Sequence, residues 1–84
     1  MKIEFRLNGR QMSLADTEVN ARVRGHQPEP VRQHAVEING QLYPMKQAFA
    51  LATGLDRLDF TTNQARTQLR RLGYRVLRIG DNRD

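Results

Sequence analysis

The chain contains no cysteine and no tryptophan. Without thiols it has no disulfide, no thiolate metal site and no cysteine nucleophile. It also lacks any run of about 18 apolar residues, so no membrane-spanning helix is expected. The opening residues, Met1-Lys2-Ile3-Glu4-Phe5-Arg6-Leu7, alternate polar and apolar side chains. A secretion signal needs a continuous apolar stretch instead, so the expectation is a cytoplasmic protein. No glycine-rich phosphate loop is present, and Lys46 alone does not make one. With 84 residues there is room for one hydrophobic core, and a deep substrate cavity would consume much of it.

Acid is also missing where base is plentiful. Residues 60–80 carry Arg66, Arg70, Arg71, Arg75 and Arg78 and no Asp or Glu. The formal net charge of the whole chain is +5, and this one segment holds all of it. A localised basic surface attracts polyanions. The competing explanation is a coding bias toward arginine, since Lys2 and Lys46 are the sole lysines.

The hydrophobic pattern predicts an α+β domain over residues 1–80, with 81–84 as a frayed tail. Ile3, Phe5 and Leu7 share one face of a strand, and Asn8-Gly9 then supplies the pair favoured in a two-residue type I′ turn. Residues 10–12 return as the partner strand. A second hairpin runs from Ala35 to Tyr43 around Asn39-Gly40, with Val36 opposite Tyr43. Between the hairpins, Ser13 followed by Asp16 resembles a capping box, and Ala15, Val19 and Val23 recur at helical spacing before Gly25. Val19, Ala21 and Val23 also alternate as in a strand; the cap and the terminal glycine favour a helix over 13–24. Pro28 and Pro30 mark the stretch 26–33 as a loop.

Pro44 suits the start of a helix, continued by the stripe Met45, Ala48, Phe49 and Ala52 and ended by Gly54. The next helix, 62–72, is the best-specified element. Thr61 and Gln64 form a capping box, Phe60 and Ala65 a hydrophobic staple, and Gly73 stands just past the end. A strand over 74–79 follows.

At about 100° per residue, Ala65, Leu69 and Leu72 fall on one side of this helix and Asn63, Arg66, Thr67 and Arg70 on the other. Arg, Asn and Thr are side chains that contact base edges and phosphates. The two helices make a helix-turn-helix-like pair, although the connection 54–60 is longer than the about three or four residues of the tight motif. The expected function is DNA binding through Asn63, Arg66, Thr67 and Arg70, with Arg71, Arg75 and Arg78 on phosphates and Lys46 and Gln47 as further candidate phosphate contacts. A solvated, non-binding helix face is the plainer alternative, and a protein-interaction or oligomerising module without nucleic acid is the runner-up.

Catalytic and metal chemistry have little to stand on. His26 and His34 near Glu29 or Glu37 lack a zinc-ligand spacing. Asp56 and Asp59 suit capping or dipole roles at a helix start, and Ser13 and Thr61 suit caps. Neither a cofactor nor an enzymatic activity is expected.

The segments Gly40-x-x-Tyr43-Pro44-x-Lys46-Gln47, Ala52-Thr53-Gly54-Leu55, Asp59-Phe60-Thr61-Thr62 and Leu69-Arg70-Arg71-Leu72-Gly73-Tyr74 resemble a group of small, mostly uncharacterised actinobacterial proteins. They are also loosely similar to modules at the N-termini of HNH restriction endonucleases that act on modified DNA. The resemblance covers about residues 34–79 and implies DNA association; no catalytic residues come with it.

Overall fold

Both Asn-Gly pairs turn hairpins. In the computed structural model, which describes residues 1–79, Asn8 and Gly9 have φ of 51° and 85°, and Asn39 and Gly40 have 53° and 79°. Positive φ at both central positions is the type I′ geometry, whose twist matches that of the flanking strands. The first hairpin pairs β1 (Lys2–Leu7) with β2 (Arg10–Ala15) as a separate two-stranded sheet. The second pairs β3 (His34–Ile38) with β4 (Gln41–Pro44), and Val36 does stand opposite Tyr43. The strand β5 (Val76–Arg78) adds antiparallel to the other edge of β3, giving the order β4-β3-β5. Its three residues are fewer than the six expected. The expected tail 81–84 lies outside the described residues.

Among the described residues the three α-helices are α1 (Asp16–Val23), α2 (Met45–Thr53) and α3 (Thr62–Arg71). A 3-10 turn over Arg57–Asp59 interrupts the connection from α2 to α3, and Asp56 caps it by accepting from the Leu58 N–H at 2.8 Å. The molecule is therefore a small α+β protein with two antiparallel sheets and a C-terminal strand.

One expected boundary moves. Residues 13–15 are strand, not helix, and Ser13 caps nothing. The register runs from Leu7↔Arg10 to Lys2↔Ala15, so β1 draws all six partner residues into the ladder. Leu14 pairs with Ile3 and is 2 % exposed. Burial of that side chain outweighs the local cap signal. The helix starts one turn later, where Glu18 reaches back to accept the Ala15 N–H at 3.0 Å. Val19 and Val23 then form its buried stripe.

A single hydrophobic cluster joins the elements. Phe49 of α2 lies at its centre, with its ring 6.3 Å from that of Phe5 on β1 and 4.8 Å, edge-on, from that of Phe60 before α3. Edge-to-face aromatic contact at this range is favourable beyond simple area burial.

Candidate nucleic-acid interface

The helix that carries the basic face is locked at both ends. At its start, Thr61 Oγ1 accepts from the Gln64 N–H at 3.1 Å, and Gln64 Oε1 accepts from the Thr61 N–H at 2.9 Å. The capping box read from the sequence is thus complete. Gln64 Nε2 also donates to Asn8 Oδ1 at 3.0 Å, and Asn8 Nδ2 donates to the Asp59 carbonyl at 2.7 Å. The first hairpin turn is thereby pinned to the start of α3. Replacing Thr61 with Ala is expected to lower stability by about 0.5–2 kcal/mol. Urea denaturation checks this, and an unchanged midpoint would remove the cap from the account.

At the other end, Gly73 has φ of 94°. Its N–H donates to the Arg70 carbonyl at 2.9 Å and that of Tyr74 to the Leu69 carbonyl at 3.1 Å. This crossed pair is a Schellman closure, and the left-handed residue it requires is most cheaply glycine. The Tyr74 hydroxyl sits 3.0 Å from the Asp16 carbonyl and 2.5 Å from Asn20 Oδ1, tying the closure to α1. Burial, with the Asp16 charge adding to it, raises the phenol to about 12, so the hydroxyl stays neutral and available as a donor.

The inward side of α3 is Ala65 and Leu69, both 0 % exposed, with Leu72 just beyond. Asn63, Thr67 and Arg70 are exposed on the opposite side and Arg66 is half-buried at its margin. Thr67 donates its hydroxyl proton to the Asn63 carbonyl at 3.0 Å. It keeps acceptor capacity toward an outside donor.

The remaining arginines splay. Arg71 turns toward β1, donating to Gln68 Oε1 at 2.8 Å and reaching the Glu4 carbonyl at 3.4 Å. Arg75 stands 3.6 Å from the Glu37 carboxylate, which offsets part of its charge. Arg78 is exposed at the end of β5. Among the described residues, Arg66, Arg70, Arg71 and Arg78 have no carboxylate within 4.0 Å. The structure therefore gathers Asn63, Arg66, Thr67 and Arg70 on one face of α3, while Arg71 turns toward β1, Arg75 toward Glu37, and Arg78 lies on β5.

Lys46 and Gln47 separate completely. The Lys46 ammonium lies 5.4 Å above the centre of the Phe60 ring and remains half-exposed. Gln47, expected as a surface phosphate contact, is only 6 % exposed. Its Oε1 accepts from the Glu29 N–H and its Nε2 donates to the Gln27 carbonyl, both at 2.9 Å. Both ends of the amide hold the proline loop, because that loop folds back across the start of α2. A second clamp helps it: Arg57 grips both Glu29 oxygens, at 2.8 and 2.6 Å. Those bonds lower the Glu29 carboxyl below its usual range and raise Arg57.

Sequence reasoning did not find Arg32 and Thr62, and weighed His34 only as a zinc ligand; all three line, with Lys46, an open cavity of about 290 Å³. No local pattern announces them, since they come from the loop, β3 and α3. A second, open groove of about 420 Å³ runs between the first hairpin turn and the 3-10 turn, with Leu58 on its rim. Among the described residues, no three His, Asp or Glu side chains converge as a metal site, and no helix is long and apolar enough to cross a membrane.

No curated protein matches the chain, and no solved structure does. A family model described as SCO5918-like matches residues 10–83. That match spans the second strand, all three helices and the three-stranded sheet, and the chain belongs to the SCO5918-like family.

Proposed function

We propose that this protein is a DNA-binding module that presents Asn63, Arg66, Thr67 and Arg70 to a groove of the duplex, with Arg71, Arg75 and Arg78 toward phosphates. The observation that carries the reading is the acid-free polar face of a helix fixed at both ends. A rigid scaffold spares the ordering cost that flexible side-chain carriers incur on binding. The role is binding, without catalysis by this chain.

The aromatic residues favour duplex over single strand. Phe5, Phe49, Phe60 and Tyr43 are buried, and Tyr74 is half-buried with its hydroxyl engaged. Single-strand binders stack bases on exposed aromatic rings, and these five are all the Phe, Tyr and Trp the chain has. Labelled duplex and single-stranded DNA of the same sequence, competed at low salt, test this. The duplex is expected to bind tighter; preference for the single strand would contradict groove recognition.

One observation favours a second reading. Leu58 is 92 % exposed beside the groove at the first hairpin turn. A large aliphatic side chain so placed suits a protein partner or a second copy of the chain. The other exposed large apolar residues, Met1, Leu42 and Ile79, belong to different elements, and scattered exposures of this kind are ordinary.

A further inference from the structure

The cavity beside Lys46 has a charge balance that points to an anion. Its one carboxylate, Glu29, is spent on the bidentate grip of Arg57. Its cations are not spent: among the described residues, Arg32 and Lys46 have no carboxylate within 4.0 Å. Thr62 adds a hydroxyl to the lining. His34 also lines it and carries a buried Nδ1 with no hydrogen-bond partner among the described residues. Buried polar atoms are rarely left so. Arg32, Lys46 and Thr62 thus bring two cations without a carboxylate partner and a hydroxyl to the lining of one space of about 290 Å³. That donor set matches a tetrahedral oxyanion with several acceptor oxygens.

The position of the cavity identifies the anion further. Thr62 is the first residue of α3 and stands one turn before Arg66. Residues four apart on a helix are surface neighbours, so the cavity borders the proposed DNA-binding face on the Arg66 side. We propose that the cavity formed by Arg32, His34, Lys46 and Thr62 is a phosphate site, and that its occupant is a backbone phosphate of the duplex lying against α3. The second half of this statement rests on the DNA reading; the first does not. The site anchors the strand next to the groove and sets the angle at which α3 enters. Gln47 is its positioning residue, since its amide holds the loop that delivers Arg32.

The test has two arms on the full chain. Inorganic phosphate, titrated at constant ionic strength, is expected to shift the backbone amide signals of Met45, Lys46 and Thr62 saturably in NMR spectra. The double variant Arg32→Gln/Lys46→Gln should lose the response, while Lys2→Gln/Arg24→Gln should retain it. Lys46 packs on Phe60, so the single variant Arg32→Gln, at an exposed position, guards against a folding defect. It should weaken phosphate binding about tenfold. An absent response, or one unchanged in these variants, overturns the site. In the second arm, the slope of log affinity for duplex DNA against log salt should shrink by about one unit in Arg32→Gln/Lys46→Gln, since the two cations share one phosphate. An unchanged slope overturns the backbone assignment. Saturable phosphate binding by a protein that binds no duplex would refute the DNA reading and leave a free-phosphate site standing.

Discussion

Replacing Arg66 and Arg70 together with alanine is expected to weaken duplex binding about a hundredfold while the protein stays folded. Each base-reading arginine contributes about 1–3 kcal/mol at its site; the lower half of that range, about 1.4 kcal/mol, is tenfold for each. The two lie one turn apart on α3, opposite Leu69. A matched control is needed, because any loss of positive charge weakens attraction to a polyanion. Arg22 is a poor control: its Nη1 donates to the Ala52 carbonyl at 2.7 Å and bridges α1 to α2. Lys2 and Arg24 are exposed and have no carboxylate within 4.0 Å among the described residues. Lys2→Ala with Arg24→Ala removes the same charge from elsewhere and should cost much less affinity. Equal losses from the two pairs would show a diffuse field, not a recognition face. Thermal melts of all variants separate binding from folding, which matters most for the half-buried Arg66.

The largest effect on stability is expected at Phe49. Its side chain is 0 % exposed and contacts the rings of Phe5 and Phe60. It therefore links the first hairpin, α2 and the staple of α3. Phe49→Ala removes the whole ring and leaves a cavity, at a cost of about 3–5 kcal/mol. Small domains have total stabilities of about 5–15 kcal/mol, so this one change would bring the protein close to unfolding. It should also abolish DNA binding under conditions where the variant is unfolded, unlike Thr61→Ala, which should loosen only one end of α3. Urea denaturation measures the loss. A cost below about 1 kcal/mol would mean that the core is organised around other contacts.

What the sequence made legible is what is encoded locally. Each Asn-Gly pair determines its own turn within two residues. The start and end of α3 are written between Phe60 and Tyr74, and both caps form as read. The errors have a common physical origin in contacts between distant segments. The strand over 13–15 exists because β1 extends six residues and needs six partners, which no pattern within 13–24 can reveal. Gln47 looked like a surface residue because nothing in its helix shows that residues 27–29 fold over it. The cavity lined by Arg32, His34, Lys46 and Thr62, proposed above to hold phosphate, draws on the loop, β3, α2 and α3 and was invisible for the same reason. The arginines of 66–78 read as one positive cluster along the chain. In space, Arg71 bends to β1 and Arg75 to Glu37, leaving Arg66 and Arg70 as the centre of the face.

The central claim, that this face binds duplex DNA through arginine and phosphate contacts, is tested most directly by measuring affinity for a labelled duplex at 50 and 200 mM salt. Neutralising about four phosphates gives a slope of about −3.6 in log affinity against log salt. Affinity should therefore fall about a hundredfold or slightly more across that fourfold change in salt. No detectable binding at the lower salt concentration would contradict the claim and leave a protein partner as the better account of the chain.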